Sequence, residues 1–221
     1  MKAKISEIFK SIQGEGVYQG QEQVFVRFYG CNLACSFCDT HLNSYTEKTV
    51  EEVINEIINL GECHSVSLTG GEPLLQQDFL NALAAGLKAR GLRVYLETNG
   101  VLAENLRRVI DNLDIVSMDF KMPTSTGLKS YWAQHREFLK AASGKDVFVK
   151  AVVGRDTQLC DIRTAMAIIR EVRPQTKFVL QPQNPFEDIL TAKVKGYVRT
   201  CRESGIEAEI GVQMHKQWGV K

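Results

Sequence analysis

Three cysteines stand close together in the stretch CNLACSFCDT, at Cys31, Cys35 and Cys38. Thiolates bind soft metals, and the C-x-x-x-C-x-x-C spacing is short enough for one loop to wrap an iron–sulfur cluster. Three protein ligands on a four-iron cluster would leave one iron open to a small molecule. The alternative is a zinc site completed by His41 or by a distant residue. The spacing indicates a metal site and favours the cluster.

The composition of the whole chain limits the classes of protein to which it can belong. The length of 221 residues suits a single domain over residues 1–221, and 27 basic against 26 acidic residues argue against a general nucleic-acid binder. The sequence shows neither a membrane-spanning apolar run nor a signal peptide. We therefore expect a cytoplasmic protein with reduced thiols, in which the scattered Cys63, Cys160 and Cys201 are small buried hydrophobes.

Short apolar segments alternate with amphipathic ones along the chain. The segments with strand character are residues 23–30, 65–71, 93–100, 114–121, 147–154, 177–183 and 206–213. Helical spacing of apolar residues follows most of them, and Thr49 with Glu52 forms a capping-box pattern at the start of a helix over residues 49–60. This alternation predicts about six parallel β-α units in an open or partial β/α barrel, with a doubly wound sheet as the alternative.

Polar residues follow several of the expected strands at the point where each strand ends. They lie in the stretches 69–73 (TGGEP), 97–100 (ETNG), 119–121 (DFK) and 181–183 (QPQ). Parallel β/α folds bind ligands at the carboxyl ends of their strands. Each stretch alone could be an ordinary turn, but their convergence on one rim predicts a binding pocket.

The cluster loop and the GGEP stretch together resemble a known superfamily. CNLACSFC, with the aromatic Phe37 before the third cysteine, is similar to the radical S-adenosylmethionine (SAM) signature, and Gly70–Pro73 is similar to the second motif of those enzymes. The resemblance implies a 4Fe-4S cluster on the three cysteines, whose open iron binds the amino and carboxylate groups of SAM. One electron then cleaves SAM to methionine and a 5′-deoxyadenosyl radical, and the protein positions and shields it.

A narrower resemblance extends over nearly the whole chain. Residues 8–40, with their QGEG, strand arginine and CDT, are similar to the N-terminal block of the 7-carboxy-7-deazaguanine synthase family, and the terminal QMHK resembles the end of that family. The resemblance implies a lyase that converts 6-carboxy-5,6,7,8-tetrahydropterin to 7-carboxy-7-deazaguanine with loss of ammonia. Such a reaction belongs to queuosine-type 7-deazapurine biosynthesis, and SAM is used catalytically.

The resemblance also implies which residues contact the pterin, namely Ile12, Gln13, Gly14, Arg27 and Thr69. Glu15 can accept hydrogen bonds from an aminopyrimidine edge, although it can equally be a surface loop glutamate. Arg27 is the sole charge in an apolar strand and can bind the substrate carboxylate through two hydrogen bonds, or pair with a local acid. His215 can donate a hydrogen bond or move a proton, or be structural. Glu15, Arg27 and His215 are the predicted catalytic residues.

Cofactor contacts are carried over in the same way. The residues implied to line SAM are Phe37, Cys38, Asp39, Gly71, Glu72, Asp119, Phe120, Lys121, Gln181, Pro182, Gln183 and Asn184. Thr40 is implied to bind Mg²⁺, which prefers oxygen ligands and keeps several waters. This chain departs from relatives that have Ser-Pro-Lys in place of Asp119-Phe120-Lys121, and from those that end in a substrate-contacting proline instead of Lys221.

The resemblance further implies an electron donor such as flavodoxin or ferredoxin, a homodimer, and no nucleic-acid or membrane partner. Two other functions remain open at this stage. One is an activase that installs a glycyl radical on a partner protein, although QGEG and Arg27 suit a small charged substrate better. The other is a non-catalytic zinc-binding module.

Overall fold

The computed structural model describes residues 1–38, 40, 43–184, 188–214 and 219. Its strands are β1 (Lys2–Ile12), β2 (Glu22–Phe28), β3 (Thr46–Thr49), β4 (Ser65–Gly70), β5 (Val94–Thr98), β6 (Ile115–Asp119), β7 (Asp146–Val153), β8 (Phe178–Pro182) and β9 (Ala208–Ile210). Within the described residues these nine strands form one sheet in the order β3-β1-β2-β4-β5-β6-β7-β8-β9. The sheet is open, because β3 and β9 are its two edges.

Every neighbouring pair from β2 through β4 to β9 is parallel, whereas β1 pairs antiparallel with both β2 and β3. The connections contain the helices α1 (Val50–Asn59), α2 (Gln77–Lys88), α3 (Ala103–Val109), α4 (Pro123–Thr126), α5 (Trp132–Ala142), α6 (Leu159–Val172) and α7 (Asp188–Glu203). Short 3-10 turns lie at Pro73–Gln76 and Ile110–Asn112. Crossovers through helices are the connections that parallel strands require.

Side chains alternate between the two faces of the sheet, and the helices cover one face. On β2, Val24 and Val26 belong to the main core with the helices, whereas Arg27 lines an open cavity on the opposite face. On β6, Val116 packs into the same core and Asp119 lines the cavity. A doubly wound sheet would carry helices on both faces. The expected partial β/α barrel is therefore confirmed, and its concave face is free to hold a ligand.

A second, smaller apolar cluster closes the concave face at the amino ends of the strands. Phe148 and its neighbours Tyr95, Ile115 and Val179 form it, and Tyr18 packs against them from the loop after β1. The rings of Tyr18 and Tyr95 meet edge to face at 5.9 Å. This cluster forms a floor that fills the concave face at the amino ends of the strands, opposite the polar strand ends.

Most of the expected elements are present. The helix over residues 49–60 is confirmed as α1, and both hydrogen bonds of its capping box form between Thr49 and Glu52. The strands β1 and β3 and the helix α5 were not predicted. The prediction that the scattered cysteines are buried is correct for Cys201 but wrong for Cys160, which is exposed at the start of α6.

None of the described helices is long and apolar enough to cross a membrane.

Candidate active site

A cavity of about 740 Å³ lies at the carboxyl ends of the parallel strands. It brings together most of the residues that the sequence singled out, from the QGEG stretch, the cluster loop and four strand ends. The predicted residues that line it are Ile12, Gln13, Gly14, Glu15, Arg27, Cys31, Cys35, Phe37, Cys38, Thr40, Thr69, Gly71, Asp119, Lys121, Gln181, Pro182, Gln183 and Asn184. The expected convergence of polar strand ends on one rim is therefore present.

The cluster loop and the GGEP loop pack directly against each other. The backbone N–H of Gly71 donates to the carbonyl of Phe28 at 3.1 Å, and that of Glu72 donates to the carbonyl of Gly30 at 2.8 Å. A Cβ at Gly71 would lie 2.1 Å from the carbonyl oxygen of Gly30 and 3.0 Å from Cβ of Cys31. Only glycine fits this approach, which places the second motif beside the first cysteine.

Glu72 is one of the predicted SAM contacts, but its side chain does not line the cavity. It is fully buried and accepts hydrogen bonds from the Thr98 hydroxyl at 2.9 Å, the Asn99 N–H at 2.8 Å and the Leu74 N–H at 3.1 Å. Burial raises the pKa of Glu72 to about 7, against the effect of these donors. Its carboxyl group thus fastens the GGEP turn to the end of β5.

Phe120 also points away from the cavity, because it alternates with Asp119 and Lys121 along the strand end. It is 1 % exposed and packs in the core against Trp132 and Phe178. The Phe120 side chain therefore does not line the cavity, and the prediction that the segment 119–121 lies along SAM rests here on Asp119 and Lys121. The predicted residues Asp39 and His215, the alternative ligand His41 and the terminal Lys221 lie outside the described residues.

Arg27 has the local acid that one of the two interpretations expected. Its Nε donates to Oε1 of Glu7 on β1 at 2.7 Å, and its guanidinium group lies 5.6 Å from the ring centroid of Phe9. In the described part of the chain, no acceptor pairs with its two terminal nitrogens. Glu7 therefore orients Arg27, and the two terminal nitrogens of the guanidinium group remain available to a carboxylate in the cavity.

Glu97, at the end of β5, is a second carboxylate in the cavity. It accepts hydrogen bonds from Gln13 Nε2 at 2.8 Å, from the Thr69 hydroxyl at 2.8 Å and from the Ser67 hydroxyl at 3.4 Å. Gln13 in turn donates to Gln23 at 3.0 Å. Two of the predicted pterin contacts, Gln13 and Thr69, are thus held in place by a residue that was not predicted.

Lys150 lies between two further carboxylates. Its ammonium group donates to Glu15 in the QGEG loop and lies 3.8 Å from Oδ2 of Asp119. The same oxygen of Asp119 pairs with Nζ of Lys121 at 2.8 Å. An alternating chain of charges therefore runs across the cavity, from Glu15 through Lys150 and Asp119 to Lys121.

Comparison with known proteins assigns these features to a family. The model of the radical SAM superfamily matches residues 25–173. The 7-carboxy-7-deazaguanine synthase of Geobacter sulfurreducens is 37% identical over 215 residues, covering 86% of both chains. The synthase of Thermococcus kodakarensis is 30% identical over 257 residues, covering 100% of both. This chain belongs to the 7-carboxy-7-deazaguanine synthase family.

A solved structure agrees with the observed fold. The crystal structure of QueE from Escherichia coli matches with a TM-score of 0.68 at 20% identity, covering 96% of this chain and 94% of that one. The likeness shows the partial barrel. Like other 7-carboxy-7-deazaguanine synthases, this chain is a radical SAM lyase of queuosine-type biosynthesis, and neither the activase nor the zinc module is favoured.

The three cysteines suit the 4Fe-4S cluster of this family. Burial raises the pKa values of Cys31 and Cys35, and the nearby cation of Lys121 opposes that rise. Among the described residues, no three His, Cys, Asp or Glu side chains converge on a point that would hold a single metal ion. Cysteines on a cluster bind different iron atoms, so they need not converge in that way.

SAM is the second cofactor of the family, and the cavity offers acceptors for its amino and hydroxyl groups. Oδ1 of Asp119 and Oε1 of Gln181 are buried and have no hydrogen-bond partner within the described residues. Both side chains line the cavity. Because an unpaired buried acceptor is costly, these two atoms point to a ligand with donors at this position.

Glu97 and Lys150 line the cavity but were not among the candidate site residues that the sequence predicted. A signal for Lys150 was present, since it is an isolated charge in an apolar strand, as Arg27 is. Glu97 stood in a stretch already marked as a strand end. Gln13 lies 84 positions from Glu97, and Glu15 lies 135 positions from Lys150, so these two pairings had no local signal.

Proposed function

We propose that this enzyme converts 6-carboxy-5,6,7,8-tetrahydropterin to 7-carboxy-7-deazaguanine with loss of ammonia. The observation that carries the proposal is the composition of the cavity at the carboxyl ends of the strands, where a cluster loop and a GGEP loop face a cradle of side chains of opposite charge. The substrate has a guanine-like edge with hydrogen-bond donors and, apart from it, a carboxylate. The cradle contains the carboxylates Glu15 and Glu97 and, apart from them, the cation Arg27.

In this proposal each part of the cradle binds one part of the pterin. Carboxylate oxygens of Glu15 or Glu97 accept from the aminopyrimidine edge, which presents N–H donors. The terminal nitrogens of Arg27 bind the substrate carboxylate as a bidentate pair, with Glu7 holding the guanidinium plane. Gln13 and Thr69 keep Glu97 in position and complete the contacts, together with the backbone at Ile12 and Gly14.

When bound, the cluster on Cys31, Cys35 and Cys38 together with SAM would supply the radical chemistry needed to activate C6 of the pterin. The chain contributes orientation and shielding to that chemistry. The floor formed by Tyr95 and Phe148 closes the cavity from below, and Arg27 keeps the reacting carbon in a fixed place through the carboxylate. Asp119, Lys121 and the segment Gln181–Asn184 hold SAM on the opposite side, as the resemblance implies.

Several finer assignments belong to the proposal alone. Thr40 lines the cavity beside the cluster loop and would bind Mg²⁺ through its hydroxyl, together with substrate oxygens and waters. We further propose that His215 donates a hydrogen bond or moves a proton, and that Asp39 orients the Mg²⁺ site. We also propose a flavodoxin or ferredoxin as electron donor, a homodimer and a cytoplasmic location.

The test is an anaerobic turnover assay with reconstituted protein, reductant, Mg²⁺, SAM and the carboxytetrahydropterin, read by mass spectrometry. The proposal expects 7-carboxy-7-deazaguanine over many turnovers without matching loss of SAM. Deoxyadenosine without this product would contradict the proposed substrate. Consumption of one SAM per radical installed on a protein would instead support the activase.

A matched pair of cysteine variants tests the cluster assignment. Cys35→Ala should lose both the visible absorbance of the cluster and product formation, because one of three ligands is gone. Cys160→Ala is the control, since this thiol is exposed on the helical side at the start of α6. Full turnover by Cys35→Ala would show that the cluster is held elsewhere.

A further inference from the structure

Lys150 is the interior charge of β7, and its side chain is only 15% exposed. A lysine in such a place needs anionic partners, because burial disfavours the charged form. Burial alone would lower the pKa of Lys150, but the charges of Glu15, Asp119 and Glu97 raise it above its usual value. The ammonium group is thus a permanent cation of the cavity and is available for a structural or electrostatic task.

The partners of Lys150 come from both sides of the cavity. Glu15 belongs to the QGEG loop, to which the proposed function assigns the pterin, and it is 20% exposed. Asp119 ends β6 beside Lys121, on the side assigned to SAM. The side chain of Lys150 therefore bridges the pterin side and the SAM side of the site by ion pairs.

The orientation of the Glu15 carboxylate depends on its ion pair with Lys150. Lys150 donates to its Oε2, and Gln213 Nε2 donates to its Oε1 at 2.5 Å. The loop itself is pinned close by, because Gly16 packs directly under Phe148 of the same strand β7. Without the ammonium group, Glu15 would lose its ion pair with Lys150 in a cavity that also contains Asp119 and Glu97, and like charges would favour its rotation or protonation.

We propose that Lys150 is a positioning residue, whose ammonium group holds the Glu15 carboxylate ionised and aimed at the pterin while keeping Asp119 in register with it. This inference rests on the proposed function of the site and goes beyond it. Among the described residues, further titratable groups that face Lys150 are Glu97 and Tyr95 on β5 and, through Asp119, Lys121. They remain unchanged in the variants below.

The first experiment compares Lys150→Met with Lys150→Arg by kcat/KM for product formation across pH. Misplacing Glu15 should lower kcat/KM of Lys150→Met on the order of 100-fold. Because loss of the cation favours protonation of Glu15, the acid limb of the pH profile should move to higher pH. Lys150→Arg keeps the charge, so it should restore the acid limb and part of the activity. A purely structural role would lower activity without moving that limb.

A double-variant cycle then tests whether Lys150 acts through Glu15. If it does, Lys150→Met should cost almost nothing further in a Glu15→Gln background, since the carboxylate to be positioned is already absent. Glu15→Gln combined with Lys150→Met also removes one charge of each sign, which guards against misfolding. Independent losses that multiply would overturn the proposal.

A third readout does not depend on the reaction. Hydrogen exchange of the backbone amides in residues 13–21 should be faster in Lys150→Met than in the wild-type enzyme, and close to wild type in Lys150→Arg. Unchanged exchange in Lys150→Met would overturn the positioning role whatever the substrate is. Absence of product with wild-type enzyme would contradict the proposed function, whereas wild-type turnover with an unaltered Lys150→Met would contradict only the role of Lys150.

Discussion

His135 of α5 is a buried histidine that joins two of the strand-end turns. Its Nε2 accepts from the backbone N–H of Lys121 at 3.0 Å, so Nδ1 carries the proton and donates to the carbonyl of Gly100 at 3.0 Å. Only the neutral ring can make both bonds. Burial lowers the pKa of His135 from 6.5 to about 4, and the charge of Lys121 adds to the effect. We predict that this histidine makes the stability of the protein sensitive to acid.

The direction and the size of this pH effect on stability follow from the linkage between proton binding and folding. A histidine whose pKa is lowered in the folded state contributes stability that is fully present above pH 6.5 and is lost as the pH falls towards 4. With pKa values of 6.5 unfolded and about 4 folded, the free energy of unfolding should fall by about 1.3 kcal/mol between pH 7.5 and 5.5 through this residue alone. The loss would continue below pH 5.5.

The assay is urea unfolding of the wild-type protein and of His135→Gln at pH 7.5 and 5.5, under anaerobic conditions. The variant has no group that titrates at this position, so the difference between the two proteins isolates His135. Glu72 has a raised pKa, and its contribution is lost as the pH rises from about 4.5 to about 7, but this effect is common to both proteins and cancels. The reasoning is refuted if the stability difference is the same at both pH values.

Two further substitutions test the scaffold. Gly16→Ala would put a Cβ only 2.6 Å from Phe148 Cε2 at a left-handed φ of 67°, so it should lower the free energy of unfolding by about 2 kcal/mol or more and also lower kcat/KM. Gly20→Ala, with φ 89° and open space around it, is the control and should show the backbone cost alone. Equal losses in the two variants would contradict the role of Phe148. Thr49→Ala should lower the free energy of unfolding by about 1 kcal/mol through loss of the α1 cap, with kcat unchanged; unchanged stability in urea would show that the capping box is not needed.

The parts of the fold that the sequence predicted are those with a local signal. The parallel strands are short apolar runs buried on the helical face, and the long helices carry apolar residues on one side. β1 lacked such a run, because its Lys2–Ile5 segment alternates exposed lysines with the buried Ala3 and Ile5 and its remainder is only half-buried. A search for period-two alternation would have found it.

The site divides along a similar line. The cluster loop, GGEP and QGEG, which the resemblance marked, lie at one cavity, but the resemblance did not show that the Phe120 side chain points away from it, because alternate residues of a strand point to opposite faces. Glu72 was likewise assigned to SAM with the rest of its motif, but its side chain is buried beneath the GGEP turn. A motif identifies a stretch of sequence, but only the folded structure shows in which direction each of its side chains points.

The exchange of Ser-Pro-Lys for Asp119-Phe120-Lys121 acquires a physical meaning only in the assembled cavity. A serine at position 119 would leave Lys121 and Lys150 facing one another without the carboxylate oxygen that both approach, at 2.8 and 3.8 Å. Lys150 would keep its ion pair with Glu15, whereas Lys121 would lose the carboxylate with which it pairs. The presence of Asp119 in place of the relatives' serine therefore adds a negative charge between Lys121 and Lys150, and Lys150 pairs with that charge as well as with Glu15. Because Glu15 and Lys150 are 135 positions apart, this coupling belongs to the fold and cannot be read from either motif alone.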